Sequence, residues 1–198
     1  MVRSFYPVSM IHGPPGTGKT RTLCAIVVDA FKRKQGVICL GWTNVCVRKL
    51  CESLKEVLPS RAVGILTARE YRIWHESEYA EFSEVEVDDC NRQVICMTVC
   101  NYLFRMMHCD TCNQWAYSDS NPKLVKHREV AVLDEASQVC EMIGGIVLSC
   151  FGGYSRTSVV GDDRQLPPYV AKELDNVASI LTWVRKLKQK FATPITLL

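Results

Sequence analysis

The sequence predicts an α/β domain in three layers, a parallel sheet covered by helices on both faces. Three observations carry that expectation. Short apolar runs alternate with longer amphipathic stretches, the pattern of successive βαβ units. A glycine-rich segment, His12 to Thr20, joins the first apolar run to the first amphipathic one. A later apolar run, Val130–Leu133, ends in the acidic pair Asp134-Glu135.

Composition agrees with a globular chain. The 198 residues suffice for one domain and are too few for two of ordinary size. A hydrophobic fraction of 47% and a charged fraction of 23% promise a real core. The net charge of +3 permits a nucleic-acid partner without arguing for one. No run approaches the roughly 18 apolar residues of a membrane span. Met1 to Met10 lacks the apolar block of a secretion signal, so an intracellular protein, cytoplasmic or nuclear, is expected. The eleven cysteines are scattered through apparent strands and helices, which suits free thiols in a reducing compartment.

In chain order, the apolar runs predict strands at Pro7–Ile11, Val37–Leu40, Ala62–Leu66, Gln93–Met97, Val130–Leu133 and Ser158–Val160. The amphipathic stretches predict helices at Lys19–Lys32, Asn44–Leu58, Ser137–Leu148 and Ala178–Phe191. Periodicity fails between Glu70 and Asp89, where acidic residues surround Trp74, Tyr79 and Phe82, so an insertion is expected at 70–90. Met106–Arg128 reads as a second irregular connection. Pro194–Leu198 looks like the start of a further strand.

The segment Gly13-Pro14-Pro15-Gly16-Thr17-Gly18-Lys19-Thr20 fits the phosphate-loop pattern G-x-x-x-x-G-K-T in its required context, after a strand and opening a helix. Glycines let successive backbone N–H groups turn inward around phosphate oxygens, where a side chain would obstruct them. The following helix offers its free N–H groups and positive dipole end to the same anion. Lys19 is then expected at the outer phosphates and the Thr20 hydroxyl on Mg²⁺. The alternative is a chance glycine-rich turn, against which the strand and helix flanks count.

A phosphate loop needs a carboxylate from another strand to hold the metal. Asp134, closing an apolar strand, falls at the sheet's C-terminal edge, where ligands of open α/β sheets bind. It is expected to hold Mg²⁺, with Glu135 polarising the attacking water as general base. Taken alone, the pair also suits the acidic first turn of a helix.

After Thr157–Val160 comes Gly161-Asp162-Asp163-Arg164-Gln165-Leu166-Pro167-Pro168. Together with Gly-Pro-Pro-Gly-Thr-Gly-Lys-Thr and Asp-Glu-Ala-Ser-Gln, this third motif resembles superfamily 1 helicases. The group in question includes the nonsense-mediated-decay helicase and senataxin. The resemblance covers nearly the whole chain and implies a single RecA-like ATP-binding domain over residues 1–198, the first half of a helicase motor. It implies that Gln165 contacts the γ-phosphate and its water, a role that suits an amide able to donate and accept at once.

Gly41–Leu50 is similar to the family's motif Ia, with Trp42 for its proline and Thr43 for its serine. Thr43 and Asn44, between a strand and a helix, are placed to meet a phosphate of a single strand at a helix N-terminus. They equally suit helix capping. Val94–Thr98 resembles the next family strand, whose terminal threonine touches the nucleic-acid backbone, and so points to Thr98.

The implied function is ATP-dependent movement along single-stranded nucleic acid, RNA favoured over DNA, with ATP and Mg²⁺ as cofactors. The family's upstream glutamine, which reads the adenine edge, has no counterpart before the loop. The second motor half, whose arginines reach the γ-phosphate, is expected from a partner chain or a longer parent. The second reading is therefore a nucleotide-binding module with little turnover. A small-metabolite P-loop kinase would need an acceptor site and an arginine-rich lid, and would leave Gly161–Pro168 without a role. Cys109 and Cys112, with His108, form a lone C-x-x-C, short of the four ligands of a zinc site. The helix carrying Arg185, Lys186, Lys188 and Lys190 reads as a solvated face before a nucleic-acid surface.

Overall fold

Alternation within each strand decides which layer its side chains enter. In Val37–Leu40, Val37 and Cys39 join one core, while Ile38 and Leu40 join the other, and all four are fully buried. A strand buried on both faces reads as a continuous apolar run, which is why these segments look alike in the sequence.

The structure is a computed structural model that describes residues 8–66, 93–107, 128–151, 156–169, 177–190 and 196–197. Its strands are β1 (Val8–His12), β2 (Val37–Gly41), β3 (Val63–Leu66), β4 (Val94–Thr98), β5 (Val130–Leu133), β6 (Arg156–Gly161) and β7 (Thr196–Leu197). Its α-helices are α1 (Lys19–Lys32), α2 (Asn44–Val57), α3 (Val99–Met107), α4 (Glu141–Phe151) and α5 (Ile180–Lys190). The strand order is β3-β4-β2-β5-β6-β1-β7, with every pairing parallel.

Helices α1 and α2 cover one face through Leu23, Val27, Leu50 and Leu54. Helices α3, α4 and α5 cover the other through Tyr102, Val147, Ile180 and Leu181. Two covered faces make the three-layer α/β fold that the sequence predicts. No helix among the described residues is long and apolar enough to cross a membrane. The described cysteines are all free, and Cys24, Cys39, Cys51, Cys96 and Cys140 are buried.

The structure departs from the expected elements chiefly at two places. The helix expected from Ser137 is instead a 3-10 turn, Ala136–Gln138, followed by α4 from Glu141. Glu135 has a left-handed backbone, φ 51° and ψ 41°, which an α-helix cannot continue through. Helix α3 was not expected, and it takes Met106 and Met107 out of the supposed irregular connection. Strand β7 lies within Pro194–Leu198, the run read as the start of a further strand. The acidic insertion at 70–90 and the Cys109/Cys112 pair lie outside the described residues.

Helices α4 and α5 approach closely because Gly144 lacks a side chain. A Cβ there would stand 2.4 Å from both Cβ and Cγ1 of Ile180. At the neighbouring Gly145, a Cβ would meet nothing within 4 Å. The two glycines should therefore respond with opposite sign. Gly144→Ala should destabilise by about 1–2 kcal/mol, overpacking outweighing the gain in helix propensity. Gly145→Ala should stabilise by about 0.5–1 kcal/mol. Urea midpoints at unchanged m-value check both.

Candidate active site

The strand order brings the three motif loops to one edge. β6 lies between β5 and β1, so the loops after β1, β5 and β6 leave the same end of adjacent parallel strands. Register makes this specific: His12 lies opposite Gly161, and Leu133 lies opposite Val159. Backbone bonds continue the ladder past the strands, from Gly13 N–H to Gly161 O (3.3 Å) and from Asp134 N–H to Leu40 O (2.8 Å).

In the phosphate loop, Gly16 and Gly18 have φ of 78° and 89°, left-handed values that strain any residue with a Cβ. Gly18 caps α1 without a side-chain hydrogen bond, which leaves the helix N-terminus to be satisfied by another partner. Pro14, Pro15 and Thr17 are exposed, and the Thr17 hydroxyl donates to Pro14 O at 2.8 Å. Lys19 is buried and folds over the loop, its Nζ donating to Gly13 O (2.9 Å) and Pro14 O (3.1 Å). Thr20 follows it, exposed on the first turn of α1.

Asp134 is 6% exposed. Burial raises its pKa to about 6; the Glu135 backbone N–H, donating at 3.0 Å, and the charge of Lys19 pull it down, and the Glu135 charge pushes it up. The Cys46 thiol on α2 lies 4.0 Å from Asp134 Oδ2, and burial with the two carboxylates beyond holds that thiol protonated. Glu135 Oε2 is buried with no hydrogen-bond partner. A left-handed glutamate with an unpartnered buried oxygen is the kind of strain that concentrates at functional sites.

Those features test whether the site suits magnesium. Asp134 and Thr20 offer hard oxygen donors, and a buried carboxylate held against its own charge gains from a cation beside it. The residues fit such an ion.

On the loop after β6, Asp162 is 2% exposed and accepts from Arg164 N–H at 3.0 Å, while its carbonyl accepts from Gln165 N–H at 3.2 Å. This turn sets the half-buried Gln165 at the shared edge. The Thr43 hydroxyl accepts from Cys46 N–H at 3.2 Å and so caps α2, which begins at Asn44. The Thr98 hydroxyl likewise accepts from Asn101 N–H at 3.2 Å, at the start of α3. The capping role that the sequence allows for Thr43 is thus present. Gly41 pairs with Thr98 in register, so these two helix N-termini stand side by side on the sheet edge.

Sequence reasoning missed one cluster. His12 Nε2 lies 2.5 Å from Asp163 Oδ1 and 3.7 Å from Asp162 Oδ1, and Arg185 from α5 pairs with Asp163 Oδ2. Arg185 is therefore engaged with the loop after β6. Burial lowers the His12 pKa from its ordinary 6.5; Asp162 raises it, and Arg185, Arg164 and Lys19 lower it. The available signal was register: once β1 pairs with β6, His12 must face the acidic doublet after Gly161.

An AAA domain family model matches residues 3–171 of the chain. The ATP-dependent helicase upf1 of Schizosaccharomyces pombe is 28% identical over 205 residues, covering 88% of this chain and 22% of that protein. The DNA replication ATP-dependent helicase/nuclease DNA2 of Xenopus laevis is 29% identical over 169 residues, covering 82% of this chain and 14% of its own. The DNA-binding protein SMUBP-2 of Rattus norvegicus is 47% identical over 47 residues, 24% of this chain and 5% of its own. An arterivirus nonstructural protein 10 helicase, solved with DNA, shares the fold at TM-score 0.51 and 14% identity, over 96% of this chain and 35% of its own. The chain thus spans less than a quarter of these curated relatives.

Asp134 gives the site a measurable electrostatic signature. Its folded pKa, about 6, exceeds its ordinary 3.8, so the folded state binds the proton more tightly. Its penalty on stability is absent below about pH 4, grows through the interval and is complete above about pH 6, reaching about 3 kcal/mol. Without nucleotide or metal, Asp134→Asn should be more stable by about 2–3 kcal/mol at neutral pH, the gain vanishing near pH 4. Denaturation midpoints measured across that range give the test, and a pH-independent difference contradicts the assignment.

Proposed function

Because the chain belongs to the AAA domain family, within the superfamily 1 helicases of the group that includes the nonsense-mediated-decay helicase and senataxin, we propose that its 198 residues form one ATP-hydrolysing half of a motor acting on single-stranded nucleic acid. The supporting observation is the convergence of the phosphate loop, the Asp134-Glu135 pair and the Gln165 loop on the edge formed by β5, β6 and β1.

In this reading, Gly13, Pro14, Pro15, Gly16, Thr17 and Gly18 shape the loop around the triphosphate, with backbone N–H groups donating. Lys19 moves from the loop carbonyls to the outer phosphates. Thr20 and Asp134 would hold magnesium, which when bound supplies positive charge to the phosphate oxygens. Glu135 accepts a proton from the water that attacks the γ-phosphorus, as the bond to ADP breaks and phosphate leaves. Gln165 orients that water and contacts the γ-phosphate. Thr43, Asn44 and Thr98, at the two neighbouring helix N-termini, receive phosphates of the strand, where backbone amides suit anions without reading sequence.

A second reading is a nucleotide-binding module with little turnover, in which the γ-phosphate arginine is supplied by another polypeptide. An arginine supplied to the γ-phosphate is worth about 10³–10⁵ in rate in comparable enzymes. The isolated 198-residue polypeptide should therefore bind ATP yet turn it over slowly, and vigorous strand-stimulated ATPase from the pure monomer decides against this second reading.

Fluorescent-nucleotide titration and phosphate release test the site. Lys19→Ala should abolish ATP binding, whereas Glu135→Gln should keep binding and lower turnover by about 10²–10⁴. Unchanged binding by Lys19→Ala would sink the assignment.

A further inference from the structure

The contact of His12 with the loop after β6 has no part in the chemistry above, yet it lies one residue before the phosphate loop. We propose that His12 is a positioning residue: by holding Asp163, which Arg185 grips from α5, it fixes the Gln165 loop against the phosphate loop and sets how strongly the site distinguishes ATP from ADP. This rests on the nucleotide-site reading and adds to it a determinant of nucleotide specificity.

Three elements meet at the Asp163 carboxylate. Oδ1 faces His12 Nε2 at 2.5 Å, and Oδ2 takes Arg185 Nη1. A carboxylate only accepts, so the ring nitrogen facing it carries the proton and donates. Hydrogen bonds to an ionised partner are the stronger kind, and His12 and Asp163 are both mostly withdrawn from water, with side-chain exposures of 16% and 12%.

Displacement of Asp163 is transmitted to Gln165 because the turn between them is tied at both ends. The Asp162 side chain holds Arg164 N–H and its carbonyl holds Gln165 N–H, at 3.0 and 3.2 Å. The backbone bond from Gly13 N–H to Gly161 O anchors only the base of this loop. The His12 side chain supplies a second tie at Asp163, two residues nearer Gln165 than that base. Without it, only the base would tie this loop to the phosphate loop, since Arg185 ties Asp163 to α5 instead, and Gln165 would contact the γ-phosphate for a smaller fraction of the time. ADP, lacking the γ-phosphate, would not register the change.

The ligand atoms of His12, Asp162 and Asp163 lie within 4.8 Å of one another, a spacing that a metal could use. The Arg185 guanidinium already supplies the positive partner of Asp163. The charge pattern therefore favours a tie between loops.

The experiment compares the affinities of ADP and a non-hydrolysable ATP analogue in the unaltered 198-residue chain, His12→Ala, His12→Gln, Asp163→Asn, Arg185→Gln and Lys19→Ala, with thermal melts of each. His12→Ala should weaken the ATP analogue by about tenfold, the scale of one hydrogen bond to a charged group, with ADP unchanged. Arg185→Gln and Asp163→Asn should move in the same direction, and His12→Gln, which keeps a donor, should recover most of the loss. If His12→Ala does not fold, Asp163→Asn and Arg185→Gln carry the same comparison. Equal losses for both nucleotides, or none, in proteins that melt normally overturn the proposal. So does a rise in melting temperature with Mn²⁺ or Zn²⁺ in nucleotide-free wild type that His12→Ala abolishes, which would make the cluster a metal site. Failure of the unaltered chain to bind either nucleotide, or undiminished binding by Lys19→Ala, removes the nucleotide-site reading and this inference with it.

Discussion

The placement of β6 between β5 and β1 is the constraint on which the site depends. In a parallel sheet every strand points the same way, so adjacency alone delivers the loops that follow to a common edge. The register is held by the core. With both faces buried, sliding one strand by a single residue would exchange its two sets of side chains between the layers. Val37 and Cys39 pack against α1 and α2, and Ile38 and Leu40 against the opposite helices, so neither set is free to move. The geometry at the edge is therefore inherited from packing several residues away.

Most of the sheet and the chemistry-bearing loops were legible because local physics demands them. Left-handed backbone at Gly16 and Gly18 requires glycine, and the loop between strand and helix announces itself. The bounds of α1 and β5 coincide with the expected ones. The helix after Asp134 starts later than the sequence predicts because φ at Glu135 is a property of the folded site, against the ordinary preference of glutamate. Helix α3 escaped notice because it continues directly from β4 without a turn residue between Thr98 and Val99. Val99 and Tyr102 do carry helical spacing, but the apolar run before them masks it. The His12–Asp163–Arg185 cluster was least legible, since its members are 151 and 22 residues apart and meet only through sheet register and helix docking.

Thr43 and Thr98 show why a single residue can satisfy two accounts. Each hydroxyl accepts from a backbone N–H three positions on, and each stands at a helix start beside the other. Capping and anion binding both draw on the N–H groups of a helix start, so the structural role is compatible with the proposed one. Strain is distributed differently. The α1–α2 face is an apolar layer with buried thiols, Cys39, Cys51 and Cys96, whereas the site edge holds Asp134, Glu135 and Ser137, the last with a buried hydroxyl that has no partner. Unfavourable terms are gathered where a ligand would relieve them.

The buried charge of Asp134 has a consequence for the life of the polypeptide in a cell. A ligand that binds only the folded form stabilises it by about 2.7 kcal/mol at a hundredfold excess over its dissociation constant. That is close to the penalty this carboxylate imposes. On the proposed reading, nucleotide would act as a folding partner as well as a fuel, and depletion of energy would raise the fraction of chains exposed to proteases.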